Sequence, residues 1–274
     1  MKKILVPTDF SKHAYYALKV ASQIARNNGG EIILLHMLEL PHQAGDAIGS
    51  GHDLPEIMLF KNSAINRLED LMDDECLDGL KVSEIIQFEL AFDGILKVSE
   101  KNDIDLVVMG SHGASGFKEM FIGSNAEKVV RHSVAPVLII KKEVGEFKVD
   151  KFVFASDFSD EIKKPFAKVV EFANKFDAEL ELAMINTPST FKPTHVAEEV
   201  MKNFISNFTV NKYSLNIYND VNVENGILHF ADKIGADLIG VCTHGRKGIS
   251  HFFNGSISED LVNHSLRPVV TFKI

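Results

Sequence analysis

The residues best suited to bind a ligand lie in one stretch of sixteen, Met109 to Ser124, which reads MGSHGASGFKEMFIGS. Three of its four glycines are spaced G-x2-G-x9-G, and a serine follows the last of them. Gly110 and Gly113 would permit a sharp turn and a close approach of the backbone to a ligand. Gly123 and Ser124 would open a helix whose free N–H groups and dipole attract an anion. The stretch therefore predicts a site for a phosphate chain.

The segments on either side of this stretch support the same prediction. Residues 105–108 form a short, β-branched apolar run typical of a buried parallel strand, and residues 125–132 repeat apolar side chains at helical spacing. The spacing matches neither the dinucleotide fingerprint G-x-G-x-x-G nor the P-loop G-x4-G-K-[ST]. Two glycines and a Gly-Ser pair are a weak signal alone, so the strand-to-helix context carries the argument.

Composition limits the classes of function. The 274 residues suffice for two domains, and 45% apolar with 24% charged residues indicates a soluble globular protein. A formal net charge of -9 argues against a nucleic acid or an anionic membrane as partner. The chain has no long apolar run, no signal-peptide pattern and only two cysteines, so we expect a reduced, cytoplasmic protein.

The second half of the chain repeats the first. At an offset of 132 residues the matches include Asp105 with Asp237, His112-Gly113 with His244-Gly245, Gly123-Ser124 with Gly255-Ser256, and Pro136-Val137 with Pro268-Val269. At an offset of 148, Thr8-Asp9-Phe10-Ser11 matches Ser156-Asp157-Phe158-Ser159. Most of the extra 16 residues of the first half are expected between Pro41 and Pro55. The chain is thus a duplication.

Each half is predicted to alternate five strands with four helices. The first-half strands are expected at 4–6, 32–36, 85–90, 106–109 and 137–140, a first helix from Ser11 to Asn28, and a long second helix from Pro55 to Cys76. Alternating βα units predict an α/β fold with a doubly wound parallel sheet in each half. Ligands of such sheets bind at the carboxyl ends of the strands.

The G-x2-G-x9-G-S motif resembles the nucleotide-binding motif of the universal stress protein family, specifically of its ATP-binding branch. The resemblance covers both halves and implies strand order 3-2-1-4-5, with domains at 1–142 and 147–274. It also implies that the last strands, 137–140 and 269–272, could pair inside one chain. We therefore expect an internal pseudo-two-fold dimer, with a further homodimer as an additional option.

The same resemblance implies the residues that contact ATP. Pro7-Thr8-Asp9 resembles the opening motif of the family, whose aspartate lies beside the nucleotide and could help to position a phosphate-bound Mg²⁺. Met37 follows His36 and would contact adenine through its backbone, so that its side chain hardly matters. The predicted site comprises Pro7, Thr8, Asp9, Met37, Met109, Gly110, Gly113, Gly123, Ser124 and Asn125, with no catalytic residue and no metal ligand.

Several of these residues have a structural interpretation as well. Asp9 could equally be a first-turn helix acid, and Ser124 a helix cap. His36 is expected to be a hydrogen-bonded structural histidine. A loop-stabilising role is favoured over catalysis for His112 and its repeat partner His244. The first-half insertion carries His42, Asp46, His52 and Asp53, whose spacing favours a polar loop over a metal site.

The second half departs from the motif. Cys242 replaces the first glycine and Ala155 replaces Pro7, whereas Gly245, Gly255 and Ser256 remain and Arg246-Lys247 adds positive charge. This half could bind nucleotide weakly, bind another ligand or serve as a scaffold, and we expect ATP in the first half only. Cys242 is expected to be a small buried hydrophobic side chain rather than a reactive thiol.

No nucleophile–base pair, metal-hydrolase motif or paired carboxylates are evident in the sequence. The prediction is therefore a binding protein rather than an enzyme. Slow ATP hydrolysis would be compatible with this prediction. ATP would order residues 114–122 and change the surface offered to an unidentified protein partner in a stress response. One alternative is a nucleotide-independent scaffold, and another is a slow nucleotide hydrolase.

Overall fold

The computed structural model describes residues 1–39, 54–113, 122–243 and 256–274, without the side chains of 54–56 and 256. Within these ranges each half has the predicted alternation. The first half contains β1 (Lys3–Pro7), α1 (Lys12–Asn28), β2 (Glu31–Met37), α2 (Leu54–Met72), β3 (Lys81–Gln87), α3 (Ala91–Lys101), β4 (Leu106–Gly110), α4 (Ser124–His132) and β5 (Val137–Ile140). The second contains β6 (Lys151–Ala155), α5 (Lys163–Lys175), β7 (Glu179–Asn186), α6 (Thr194–Ile205), β8 (Tyr213–Asn219), α7 (Val223–Ile234), β9 (Leu238–Thr243), α8 (Ser256–His264) and β10 (Val269–Lys273).

The strands form one mixed sheet in the order β3-β2-β1-β4-β5-β10-β9-β6-β7-β8. Each half is parallel with the predicted order 3-2-1-4-5, so strands one and four are neighbours. The two halves join where β5 and β10 pair antiparallel, with Leu138 opposite Val270. The predicted doubly wound halves and their internal pseudo-dimer are therefore confirmed, and the two sheets are continuous.

Local sequence explains how α1 is positioned over the sheet. The Ser11 hydroxyl accepts a hydrogen bond from the Ala14 N–H at 3.3 Å, which caps the first turn. Gly29 ends the helix with φ at 62°, a left-handed conformation that glycine adopts without steric cost. The predicted start and end of this helix are confirmed.

The apolar core covers both faces of the sheet and runs through both halves. One cluster contains Leu138 of β5 together with Phe152 of β6, and the other contains Val137 of β5 together with Val153 of β6. The linker between β5 and β6 lies against α1, where the Gln23 side chain donates to the Gly145 carbonyl and accepts from the Phe147 N–H. The halves therefore share one core.

Two boundary predictions are wrong. The third strand spans Lys81–Gln87 rather than 85–90, because β3 is an edge strand whose mixed exposure lacks the buried apolar run of the inner strands. The second helix ends at Met72 instead of Cys76. There the Asp74 carboxylate accepts the Cys76 N–H at 2.9 Å and starts a separate 3-10 turn.

Across the described ranges, no helix combines the length and apolar character required to span a membrane.

Candidate functional site

One cavity of about 340 Å³ opens at the carboxyl ends of β1, β2 and β4 and at the start of α4. Its volume lies within the range of small-molecule sites, and its place is the switch point of the first half. All ten predicted site residues line it: Pro7, Thr8, Asp9, Met37, Met109, Gly110, Gly113, Gly123, Ser124 and Asn125. The fold thus brings together residues that are more than a hundred positions apart.

The turn after β1 presents Asp9 to this cavity. Thr8 is buried, and its hydroxyl accepts the Phe10 N–H at 3.0 Å, while Asp9 Oδ1 accepts the Ser11 N–H at 3.0 Å. These bonds hold Phe10 at φ 61°, an uncommon conformation for a side chain of that size. The Asp9 carboxylate is exposed, so both proposed roles, in the turn and beside a ligand, are geometrically compatible.

The second half builds the same turn. The Ser156 hydroxyl accepts the Phe158 N–H at 3.0 Å, Asp157 Oδ1 accepts the Ser159 N–H at 3.1 Å, and Phe158 has φ 57°. This shared turn therefore explains part of the sequence match between the two halves at this motif. The turn alone does not distinguish a ligand site.

Gly113 and Gly110 are required for different reasons. A Cβ atom on Gly113 would lie 2.6 Å from Asp9 Oδ2, at the cavity wall. A Cβ on Gly110 would lie 2.6 Å from the carbonyl carbon of His13 and 2.9 Å from the Ala14 nitrogen, so this glycine allows α1 to pack on β4. Neither glycine has a positive φ. Packing against α1 therefore gives Gly110 a structural cause, and its role in the approach of a ligand stays a prediction.

The start of α4 offers backbone donors to the cavity. Gly123 is the N-cap residue, no side chain caps the helix, and the first intrahelical bond runs from the Glu127 N–H to the Gly123 carbonyl. The Gly123 N–H donates to the Ser111 carbonyl at 2.7 Å and so faces away from a ligand. The amides of the next turn, from Ser124 to Ala126, precede the first intrahelical bond. The alternative interpretation of Ser124 as a helix cap is wrong, because Gly123 holds that position, and its contact with phosphate stays a prediction.

The opposite end of the cavity is apolar. A Cβ on Gly94 would lie 2.1 Å from the Met37 methyl carbon, so the Met37 side chain packs directly on α3. The Met37 side chain thus has a packing role on α3, and its backbone contact to adenine stays a prediction. Ala91 and Ile95 of α3 also line the cavity and were not predicted. Their signal in the sequence was the spacing of Ala91 and Gly94, small residues one helical turn apart.

The two histidines at the cavity are held by neighbouring groups. His36 Nδ1 lies 2.8 Å from the Thr8 carbonyl, and its ring centroid is 4.6 Å from that of Phe10. His112 Nδ1 lies 2.8 Å from the Ser111 hydroxyl. These contacts agree with the structural roles predicted for both residues.

In the second half, the described side of the corresponding place contains a small cavity. A cavity of only about 20 Å³ remains between Asp157, Ile185 and Lys192. Asn186 closes the turn that follows β7, because its side chain donates to the Lys192 carbonyl at 3.0 Å and accepts from the Lys192 N–H at 3.3 Å. The residues equivalent to the opposite wall of the first-half cavity, 244–255, lie outside the described residues.

Neither cysteine is poised for chemistry. Burial raises the pKa of the Cys76 thiol to about 12, with a further contribution from Asp74. Cys242 is 2% exposed, and burial raises its pKa far above the ordinary thiol value. Both thiols are neutral near pH 7, in agreement with the prediction for Cys242.

Several predicted features lie outside the described residues. These are the four possible ligands of the first-half insertion (His42, Asp46, His52, Asp53), most of the 114–122 loop, and the second-half residues His244, Gly245, Arg246, Lys247 and Gly255. In the described ranges, no group of three or more His, Cys, Asp or Glu side chains could hold a metal ion.

Fold and cavity together define a tandem α/β protein with a cavity at the switch point of its first 3-2-1-4-5 half. The model of the universal stress protein family matches residues 1–141 and 217–273, and the chain belongs to that family.

Named relatives agree with this assignment. Universal stress protein MJ0577 of Methanocaldococcus jannaschii is 33% identical over 155 residues, covering 52% of this chain and 96% of the relative. Universal stress protein Slr1230 of Synechocystis is 23% identical over the full length of both chains, which supports the tandem organisation. The crystal structure of a universal stress protein from Archaeoglobus fulgidus superposes with a TM-score of 0.74 at 24% identity, covering 99% and 96% of the two chains, and shows the shared fold.

Proposed function

We propose that the first half binds ATP and that the protein acts as a nucleotide-dependent regulatory module. One observation carries the proposal: the ten residues predicted from a family resemblance converge on one cavity of about 340 Å³ in the described structure. Strand ends, the uncapped start of α4 and an apolar wall on α3 surround it. A nucleotide needs both a phosphate-binding end and an apolar end, and this cavity supplies both.

The phosphates would be bound by main-chain amides and a metal ion rather than by side-chain cations. No lysine or arginine is among the described residues lining the cavity. The amides of the first turn of α4 would donate to the phosphates, with the helix dipole adding to the attraction. Asp9, 2.6 Å from the place of a Cβ on Gly113, is the carboxylate best situated to face a phosphate-bound Mg²⁺. We therefore expect binding to depend on Mg²⁺.

Nucleotide binding would be confined to the first half. The second-half cavity of about 20 Å³ is far smaller than any adenine nucleotide, and Cys242 replaces Gly110 at the strand end. The second half would then act as a scaffold or as a partner-binding unit.

Binding rather than turnover is the proposed role. Among the described lining residues, His36 and His112 each direct Nδ1 to a neighbouring carbonyl or hydroxyl group, and Asp9 Oδ1 accepts a turn amide. The Ser111 hydroxyl lies 2.8 Å from His112 Nδ1, but Ser111 is fully buried, so this pair is poorly placed to attack a ligand. Any ATP hydrolysis would be slow. Occupancy of the cavity by ATP would be the regulatory signal.

Isothermal titration with Mg·ATP tests this proposal. Gly113→Val should weaken binding at least about tenfold, because the side chain would displace the Asp9 carboxylate and enter the cavity. Gly145→Val is the matched control, since a Cβ at Gly145 meets nothing within 4 Å, and its affinity should equal that of the wild type. Equal affinity of Gly113→Val and wild type would refute the cavity assignment. A wild type with no affinity below millimolar would favour the nucleotide-independent scaffold.

A further inference from the structure

The helices that follow the two glycine motifs meet across the junction of the halves. Arg131, in the last turn of α4, donates from Nε to Glu259 in the first turn of α8 at 2.7 Å. Conversely, Asn263 in the last turn of α8 lies at the start of α4, where its side-chain oxygen accepts the Ile122 N–H at 2.6 Å. The two helices therefore run in opposite directions beside each other.

The contact at Ile122 joins the second half directly to the first-half cavity. Ile122 is 8% exposed, and the next residue, Gly123, is fixed by its 2.7 Å bond to the Ser111 carbonyl. Two consecutive amides are thus held, one by each half of the molecule. They set the direction in which the chain enters α4, and therefore where the amides of Ser124 and Asn125 point.

Asn263 is itself anchored. Its carbonyl accepts a hydrogen bond from the Lys141 ammonium group, which belongs to the segment after β5 in the first half. Lys141 holds the main chain of Asn263, and the Ile122 N–H holds its side-chain oxygen. The Asn263 side chain therefore has little freedom to turn away from Ile122.

This contact is not a simple product of the duplication. Arg131 occupies the repeat position of Asn263, at the offset of 132, yet it forms ion pairs with Glu127 and Glu259. Asparagine offers what a backbone N–H requires, a neutral acceptor of short reach. The second half thus carries at this position a residue type suited to the first-half backbone.

We propose that Asn263 is a positioning residue of the first-half nucleotide site. Through this residue the second half sets the affinity of that site for nucleotide. The inference rests on the proposed function for its ligand, but the contact itself can be tested without one. Removing the acceptor would leave a buried amide unpaired, and the Ile122–Ser124 segment would move to satisfy it.

The test compares Asn263→Leu, which removes the acceptor at similar volume, with Asn263→Asp, which keeps an acceptor oxygen. NMR-detected exchange of the Ile122 amide, without ligand, should be about fivefold to tenfold faster in Asn263→Leu and close to wild type in Asn263→Asp. Titration with Mg·ATP should give a Kd about five to ten times higher for Asn263→Leu.

Glu259→Gln is the matched control, because it breaks the Arg131 ion pair in the same helix pair without touching Ile122. Its Ile122 exchange and its Kd should stay within about twofold of wild type. Unchanged exchange in Asn263→Leu, or an equal loss of affinity in Glu259→Gln, would overturn the positioning role. If the wild type binds no nucleotide but the exchange rates differ as expected, the proposed function fails while the contact between the halves stands.

Discussion

At the scale of single residues, three glycines at or beside the cavity have three separate causes. Gly113 leaves room for the Asp9 carboxylate, Gly110 lets the backbone of α1 approach β4, and Gly94 accommodates the Met37 side chain. Sequence spacing indicated that glycine was needed near the cavity, but the neighbour that requires each one comes from a distant part of the chain.

Gly110→Ala should destabilise the protein by about 1–3 kcal/mol, because its Cβ would overlap the backbone of His13 and force α1 away from β4. Urea unfolding followed by circular dichroism would measure the loss. Gly145→Ala, in open space, is the control and should leave the free energy of unfolding within about 0.5 kcal/mol of wild type. A Gly110→Ala variant as stable as that control would contradict the packing explanation.

At the scale of elements, each half caps the corresponding helix of the other. The Lys141 ammonium donates to the Asn263 carbonyl in the last turn of α8, and the Lys273 ammonium donates to the His132 carbonyl at the end of α4, at 2.8 Å. The two lysines are equivalent in the repeat. Carbonyl groups at helix ends need such partners, and a cation there also interacts favourably with the dipole.

Burial lowers the pKa of Lys141 from 10.5 to about 8, so its contribution to stability should depend on pH. Between about pH 8 and pH 10.5 the folded chain has lost a proton that the unfolded chain retains. The unfolded state then binds more protons, and stability rises with pH. The free energy of unfolding of the wild type should therefore increase relative to Lys141→Met from pH 7.5 to about pH 10.

Urea titrations of both proteins across this pH window would measure that difference. Gly145→Ala, which removes no titratable group, should show a difference from wild type that does not change with pH. A difference for Lys141→Met that stays constant or falls with rising pH would show that the ammonium group keeps its proton when the protein folds.

At the scale of the whole molecule, the two halves form one folding unit. The antiparallel β5–β10 pair makes the sheet continuous, and each apolar cluster contains residues of both halves. A duplication whose halves share a core is expected to unfold in one cooperative transition rather than domain by domain.

Phe166→Ala tests this cooperativity from within the second half. Phe166 is fully buried, with ring centroids 4.9 Å from Phe204 and 4.7 Å from Phe208, so truncation should cost about 3–5 kcal/mol. The loss should appear equally in the exchange of first-half amides, such as Val107 of β4, and in circular dichroism. A first half that unfolds at its wild-type midpoint while the second unfolds earlier would contradict a single unit.

The sequence by itself determined the duplication, the alternation of strands and helices, and the ten residues that converge on the first-half cavity. The duplication and the alternation follow from the internal repeat and the apolar periodicity, which are visible in the chain alone, whereas the ten residues were implied by the resemblance of the glycine motif to a known family. Only the tertiary structure decided that Gly123 turns its amide inward, that Met37 packs on Gly94, and that Asn263 reaches the backbone of Ile122. Such contacts join residues far apart in sequence. Their geometry depends on how helices and strands pack in the folded chain, including where the two halves join.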